Sequence, residues 1–439
     1  MTETSDPEFR HDPYSALRVP EFRRYLGGNL LALLGSQMQT VAVGWELYER
    51  TGEPLDLGLV GLVQVIPVVA LAMPAGQIVD RMDRRRVILL ATCVLLACSL
   101  ALAAVSWTGA GVAWVYASLL VNGIARAFLQ PAKSSLVPMI VPRPRFTNAV
   151  TWSTSGFQLA TIVGPGLGGL AIGLFHQAWV VYLLDAALTA AFVVQLLRLP
   201  PQRPAAPGRP VTLRSLVGGV EYVWRTKLVL GAISLDMFAV LLGGATALLP
   251  IYAKDILQVG PEGLGYLRAA PGIGAILTSF GLAHLPPMRR AGPVLLASVA
   301  GFGVATVLFG LTRNFGVALS MLFLTGALDM ISVIIRHTLV QTWTPDEMRG
   351  RVSAVNGMFI SVSNELGAFE SGAVAAWFHR PDDPEHGPTV SVVSGGIGTI
   401  LVVLAMWRLV PSLRRYDRLT DGPTTDRPST DGPTSEENT

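Results

Sequence analysis

Charged side chains interrupt several long apolar runs of this sequence. Such groups are costly in apolar surroundings, so they are candidates for binding a solute or carrying an ion. Arg126 and Asp329 hold equivalent positions in the two halves of the chain, and Asp236 lies about a third of the way into another run. An arginine can bind an anion, and a carboxylate can alternate between a protonated and an arginine-paired state. The further candidates for this proton-coupling or cavity site are Glu365, Glu370, Asn122 and Gln37.

Each of these groups also has a structural interpretation. Arg126 can belong to a fixed ion pair, and Asp236 can simply hydrogen-bond to a neighbouring helix. Arg336, seven residues after Asp329, can extend to the membrane surface. Glu365 and Glu370 are five residues apart, roughly 140° around a helix, so we expect them not to face one point.

Several kinds of chemistry have no motif here. The sequence has no GxxxxGK[ST] phosphate loop, no GxSxG elbow and no His/Cys cluster with metal-ligand spacing. Cys93 and Cys98 are the only cysteines and share one apolar run, which argues against a disulfide framework. The formal net charge of +3 does not suggest nucleic-acid binding. We therefore expect no enzyme, no cofactor and no metal site.

Composition indicates a membrane protein. Hydrophobic residues make up 51% of the chain and charged residues 14%, whereas soluble domains carry about 25% charged residues. A membrane span needs about 20 mostly apolar residues. We predict an all-α protein with twelve spans, at 25–48, 57–79, 87–107, 112–132, 148–174, 178–198, 228–251, 262–284, 293–312, 316–338, 352–378 and 391–410.

The distribution of basic residues predicts the orientation of these spans. Only Arg50, Lys254, Arg313 and Arg380 fall in predicted outer loops, whereas most of the 33 lysines and arginines fall on the other side. By the positive-inside rule both termini are cytoplasmic. The first residues lack the apolar run of a cleaved signal peptide. The predicted regions are a cytoplasmic segment 1–24, six-helix bundles 25–198 and 228–410, a cytoplasmic linker 199–227 that is exposed over 199–215, and a disordered cytoplasmic tail 411–439.

The two predicted bundles resemble each other in sequence. Glycines recur at a constant offset, as in Gly28 and Gly231, Gly164 and Gly367, or Gly169 and Gly372. Six spans per half, each half starting on the same side, predict a parallel repeat with pseudo-twofold symmetry. Such proteins place the solute path between the halves and expose it to alternate sides by rocking.

A basic motif follows the second span: Gly76-Gln-Ile-Val-Asp80-Arg81-Met-Asp83-Arg84-Arg85-Arg86. It resembles the loop 2–3 motif of the major facilitator superfamily, which implies the superfamily's twelve-helix fold. The resemblance implies a cytoplasmic gate formed by Gly76, Asp80, Arg81, Arg84 and Arg85, in which Gly76 lets the second span approach a neighbouring helix. Asp83 replaces the glycine that is usual in the family, so we expect a local difference in this turn.

The fifth span contains a glycine-rich pattern at Gly156, Gly164, Pro165, Gly168 and Gly169. It resembles the span 5 motif of proton-coupled exporters in the superfamily. Small residues allow close helix packing, and proline bends a helix. Generic glycine packing in a membrane helix is the alternative explanation.

The whole stretch from Tyr14 to Val410 resembles the enterobactin-exporter-like branch, chiefly in 45–81, 233–257 and 344–372. That branch exports siderophores, and its relatives handle macrolides or lysophospholipids. The resemblance implies a monomeric plasma-membrane exporter of a siderophore-like or drug-like solute, with protons as the coupling ion. A lysophospholipid facilitator without proton coupling is one alternative. A non-transporting scaffold or sensor is another, and the short tail argues against it.

Overall fold

The computed structural model describes residues 12–202, 213–286 and 288–417, and within them all regular structure is helical. An isolated β-bridge joins Arg380 to Asp383. The central part of the predicted linker (203–212) and the tail from 418 onward lie outside the described residues.

The first half contains six long helices, and each covers one predicted span to within a residue. Glycines in the left-handed conformation end two of them, because Gly52 follows α1 with φ 67° and Gly109 follows α3 with φ 66°. The helices are α1 (Pro20–Thr51), α2 (Pro54–Arg81), α3 (Arg84–Thr108), α4 (Val112–Ile140), α5 (Phe146–Phe175) and α6 (Ala178–Leu197).

The second half is less regular. Its helices are α7 (Leu213–Arg225), α8 (Lys227–Leu242), α9 (Leu249–Ile251), α10 (Gly260–Ala283), α11 (Ala291–Leu311), α12 (Phe315–Trp343), α13 (Asp346–Trp377), α14 (His386–Leu409) and α15 (Pro411–Arg414). The predicted span 228–251 is interrupted after Leu242. A 3-10 turn (Ala245–Leu248), α9 and a π-helical turn (Tyr252–Ile256) continue it.

The interruption after α8 follows from two adjacent glycines, Gly243 and Gly244. Glycine weakens a helix by about 1 kcal/mol relative to alanine. A Cβ atom on Gly244 would lie only 2.5 Å from the carbonyl oxygen of Gly367. Glycine here therefore lets the end of α8 approach the backbone of α13.

Nine helices in the described part of the chain are long and apolar enough to cross a membrane: α2 to α6, α8 with its continuation, α11, α12 and α14. The protein is thus an all-helical, multi-pass membrane protein. The long helices α1, α10 and α13 cover the other three predicted spans but do not meet this criterion. They carry ionisable residues within their length, such as Glu46, Arg268 and Glu365.

Most helix packing occurs within each half. In the first half α1 packs along α5 and α6, α3 lies between α4 and α6, and α2 packs on α4. In the second half α11 lies between α12 and α14, α10 packs on α12, and α13 contacts α8 and α14. Two extensive contacts join the halves, α2 with α13 and α5 with α10.

These cross-half contacts lie near one end of the helices. We call this end the α1–α2 face, after the loop it carries, and the opposite end the α2–α3 face. A Cβ on Gly372 would lie 2.8 Å from the Cα of Gly58, and one on Gly169 would lie 2.9 Å from the Cα of Gly265. One hydrophobic core there contains residues of both halves, whereas the other two clusters each belong to a single half. The halves therefore meet at the α1–α2 face and separate toward the α2–α3 face.

Two segments differ from the sequence prediction. The end of the linker, for which no helix was predicted, forms α7, which packs on α13 through Gly219 and contains the buried Val223. The start of the tail, expected to be disordered, is helical at α15. Its Leu413 and Tyr416 are buried, and the Ala291 amide donates to the carbonyl of Asp417 at 2.9 Å. Both corrections have one cause: a few apolar residues of each segment pack into the hydrophobic core of the second half.

Candidate functional site

A polar cavity of about 240 Å³ lies between the two halves. Six helical segments supply its wall, and the three helices that are too polar to qualify as apolar spans, α1, α10 and α13, are among them. The lining residues are Thr40, Gly44, Leu57, Val60, Gly61, Gln64 and Arg126 from the first half, and Thr246, Ala247, Arg268, Asn364, Glu365 and Ala368 from the second. The cavity thus accounts for Arg268 on α10 and Glu365 on α13, whereas the charged residues of α1 lie outside it.

The cavity contains two arginines and one glutamate. Arg126 Nη2 donates to Ser36 Oγ at 2.9 Å, and Glu365 lies close enough to interact with Arg126 electrostatically. The Nε atom of Arg268 is buried without a hydrogen-bond partner. Within the described part of the chain, none of these three groups has an ion-pair partner within 4.0 Å. The formal charge of the residues lining the cavity is therefore +1.

A second chamber, of about 300 Å³, lies inside the first half between α1, α3, α4, α5 and α6. Arg126 lines both this chamber and the central cavity. Gln37, Asn122 and Lys133 also line the chamber. Side-chain oxygens of Asn29, Thr92 and Asn122 are buried there without a hydrogen-bond partner among the described residues. A chamber of this size and polarity is suited to holding water.

Asp185 anchors the wall of this second chamber. It is buried, and its carboxylate accepts hydrogen bonds from Ser99 (2.6 Å), Gln39 (2.9 Å) and Thr189 (3.3 Å). Three helices of one half, α1, α3 and α6, are joined at this point. These neutral donors stabilise a carboxylate without a cation in direct contact.

A second charged cluster lies inside the second half. Arg336 forms a buried ion pair with Asp236, which joins α12 to α8. Asp329 lies two turns before Arg336 on α12 and shares a small pocket with Asp236 and Phe302. Arg336, expected to extend to the membrane surface, is 5% exposed instead. One guanidinium thus lies near two carboxylates.

The structure does not bring Arg126 and Asp329 together. Arg126 lines the central cavity, whereas Asp329 faces α8 and α11 within its own half. Of the two candidate glutamates on α13, Glu365 lines the cavity and Glu370 does not, in keeping with their five-residue spacing. Glu370 instead accepts a hydrogen bond from the neighbouring Ser371 hydroxyl at 3.4 Å.

The α1–α2 face is closed by a polar contact between the halves. The Tyr48 hydroxyl on α1 donates to the Asp255 carboxylate in the π-helical turn, and Lys254 lies 5.5 Å from the centre of the Tyr48 ring. Next to it Glu46 pairs with Arg50 at 2.6 Å and accepts from Tyr182 at 2.7 Å.

The basic motif after α2 makes its contacts within the first half. Asp80 pairs with Arg84 at 3.3 Å, and Arg84 also donates to the carbonyls of Val79 and Met82. Arg85 donates at 2.8 Å to two carbonyls at the end of α6. Arg81 is exposed.

Two positions of this motif differ from expectation in an informative way. Asp83, which replaces the usual glycine, caps α3: its Oδ1 accepts from the amides of Arg86 (3.4 Å) and Gln202 (3.2 Å). Gly76 was expected to let α2 approach a neighbouring helix. Instead, a Cβ atom there would meet nothing within 4 Å. The close approach that this glycine permits is not made in this conformation.

The glycine pattern on α5 packs in two directions. Gly164 faces Gln37 and the backbone of Leu34 on α1, and a Cβ on Gly168 would lie 3.0 Å from the backbone of Met38. Gly169 instead faces α10 of the other half. Pro165 is buried next to Gly164. A Cβ on Gly156 would make only an ordinary van der Waals contact, 3.7 Å from a methyl carbon of Leu30.

A family model described as transmembrane secretion effector matches residues 11–419. The chain belongs to that family, within the major facilitator superfamily. Among curated proteins it is 28% identical over 403 residues to the enterobactin exporter EntS of Shigella boydii serotype 18, covering 90% of this chain and 93% of that protein. The enterobactin exporter EntS of Escherichia coli O139:H28 matches with the same identity and coverage.

Solved structures confirm the fold. A bacterial homologue of the human lysosomal transporter Spinster, in an inward-facing and unoccupied conformation, matches with a TM-score of 0.68 at 15% identity, covering 91% of this chain and 98% of that one. The nucleoside transporter NupG matches with a TM-score of 0.67 at 14% identity, covering 90% of this chain and 99% of that one.

Arg268 is the charged cavity residue that we did not single out from the sequence. The available signal was its isolation: it is the one cationic residue between Gly260 and Ala283.

Proposed function

We propose that this protein is a secondary transporter that exports a small siderophore-like or drug-like organic solute from the cytoplasm. The observation that carries the proposal is the polar cavity between two helical halves that meet at one face only. Its relatives in Shigella boydii and Escherichia coli are named as enterobactin exporters, which supports export. In this proposal α1, α10 and α13 also cross the membrane, which gives twelve spans in two bundles.

Alternating access provides the mechanism of transport. The excess of basic residues assigns the α2–α3 face, and both termini, to the cytoplasm. With the halves joined at the α1–α2 face, the described conformation is then inward-facing. Rocking of the halves would close the α2–α3 face and separate Tyr48 from Asp255.

The cluster of Asp236, Arg336 and Asp329 is our candidate for proton coupling. One arginine can pair fully with one carboxylate at a time, so the second carboxylate becomes the site for a proton. Exchange of the proton between the two aspartates would change the link between α8 and α12. Because α8 continues into the cavity-lining turn at Thr246, this change can reach the solute.

Proton flux measured in inverted membrane vesicles tests this function. The solutes are a catecholate siderophore, a macrolide, a cationic dye and a lysophospholipid, with vesicles lacking the protein as the control. We expect one solute class to trigger proton movement, and Asp329→Asn or Asp236→Asn to abolish it. Retention of full proton-dependent transport by both variants would refute the coupling assignment. Lysophospholipid movement without proton flux would instead show a facilitator.

A further inference from the structure

The central cavity presents one cation from each half. Arg126 extends from α4 of the first half and Arg268 from α10 of the second, and both line the same space. We propose that this cavity is an organic-anion site in which Arg126 and Arg268 hold the solute from opposite sides. The direction of transport rests on the proposed function, whereas the site itself does not.

The unsatisfied state of the arginines supports the site. Removing a charged group from water is costly unless a partner compensates for it. Arg336 has such a partner in Asp236, but Arg126 and Arg268 have no ion pair within the described residues, and Arg268 Nε has no hydrogen bond at all. A carboxylate or similar planar anion supplies the paired acceptors that a guanidinium prefers.

Glu365 sets the charge of the empty cavity. It lies near Arg126 on the opposite half and balances one of the two cations. On the other side of Arg126, the first-half chamber adds Lys133 as a further cation and Asp185 as an anion. The titratable groups lining the two chambers thus leave a positive balance, which favours an anion over a cationic drug.

The position of the two arginines also links binding to movement. An anion that contacts both guanidiniums joins the halves at the cavity. It therefore stabilises conformations in which Arg126 and Arg268 are close, and the solute-bound protein closes more readily than the empty one.

A matched pair of small aromatic probes tests the site without requiring transport. 2,3-Dihydroxybenzoate is an anion at neutral pH, and 2,3-dihydroxybenzamide is an uncharged molecule of nearly the same shape. Binding is measured by tryptophan fluorescence on the purified full-length protein in nanodiscs. Loss of one charge-assisted contact corresponds to a roughly tenfold or greater weakening. We expect the wild type to bind the benzoate at least about tenfold more tightly than the amide.

Variants then assign the preference to the two arginines. Arg268→Gln and Arg126→Gln should each weaken binding of the benzoate much more than binding of the amide, and so remove most of the preference for the anion, whereas Arg268→Lys should keep part of it. Arg143→Gln, an exposed loop arginine outside both chambers, is the matched control. Amide binding also reports that each variant is folded.

Two results would overturn the anion site. The first is that the wild type binds the two probes equally, or binds neither probe at millimolar concentration. The second is that the preference for the anion survives both glutamine substitutions. If the vesicles still show proton-linked efflux of a cationic dye in that case, the proposed function stands and only the anion site fails. Anion preference without transport of any solute would support the anion site and refute the proposed transport function.

Discussion

At the scale of single residues, departures from the family pattern have local physical reasons. Asp83 occupies the place of a usual glycine, yet its turn is well formed because the carboxylate accepts from two backbone amides. A residue that was expected to disturb the motif therefore stabilises it, by capping α3 and tying it to the chain after α6.

Asp83→Ala tests this capping role. The substitution removes an acceptor for two amides, so we expect a loss of about 1 kcal/mol in the free energy of unfolding. Asp83→Asn keeps a capping oxygen and should lose much less. Unfolding in mixed micelles with increasing sodium dodecyl sulfate measures both. Equal stability of the alanine and asparagine variants would argue against the cap.

The buried ion pair of Arg336 and Asp236 gives a second residue-scale prediction. Removing one partner leaves an uncompensated charge, which typically costs about 3–5 kcal/mol. We expect Arg336→Gln to be strongly destabilising, and the double variant Arg336→Gln with Asp236→Asn to recover part of that loss. Additive effects in the same micelle unfolding assay would mean that the two groups do not interact.

At the scale of helices, the pairing of α5 with α10 explains the glycine pattern on α5. One part of the pattern packs α5 on α1 in its own half, and Gly169 allows contact with the other half. In the alternating-access mechanism proposed above, the latter contact would break when the α1–α2 face opens, so we propose that Gly169 serves the conformational equilibrium as well as packing.

Gly169→Ala should shift that equilibrium. Its Cβ would lie 2.4 Å from the carbonyl oxygen of Pro261, so α5 and α10 must separate. We expect a larger population open at the α1–α2 face, measured as faster labelling of a cysteine introduced at Thr246, in a variant without native cysteines, by a membrane-impermeant thiol reagent supplied only from the α1–α2 side. Gly166→Ala on the same helix is the control, because its Cβ meets nothing within 4 Å. Unchanged labelling in Gly169→Ala would contradict the assignment.

At the scale of the whole molecule, the two halves are joined at one face and separate at the other. The basic motif lies at the separated face, where its described contacts stay within the first half. Gly76 faces open space there. These facts fit a motif that acts when the α2–α3 face closes, a state other than the one described.

A bulky side chain at position 76 distinguishes the two conformations. Gly76→Val should leave the stability of the described conformation nearly unchanged, because a Cβ there meets no neighbour. It should hinder closure of the α2–α3 face and reduce transport at least about tenfold. Distances between spin labels on the two halves, with and without solute, measure the closure. Normal closure in Gly76→Val would contradict a gating role for the motif. The control is Gly111→Ala, in an exposed loop of the opposite face.

The sequence by itself determined the membrane class, the helices and the family. Long apolar runs, the basic loops and the motifs at Gly76 and Gly156 are local patterns, and membrane helices satisfy their backbone hydrogen bonds locally. The predicted spans accordingly fall on helices, apart from the interruption at Gly243. The position of α7 was not predicted, because a short amphipathic segment is ordered by packing on another helix, here α13, and the sequence of the segment does not name that partner.

Only the tertiary structure decided which charges meet. Sequence equivalence suggested Arg126 opposite Asp329, but a repeat relates positions and does not make them neighbours. Arg336 pairs with Asp236 across two helices of one half, and Arg268 reaches the cavity of Arg126 from the other half. Such pairings depend on helix rotation and on the separation of the halves, and these are set by packing between residues far apart in the chain.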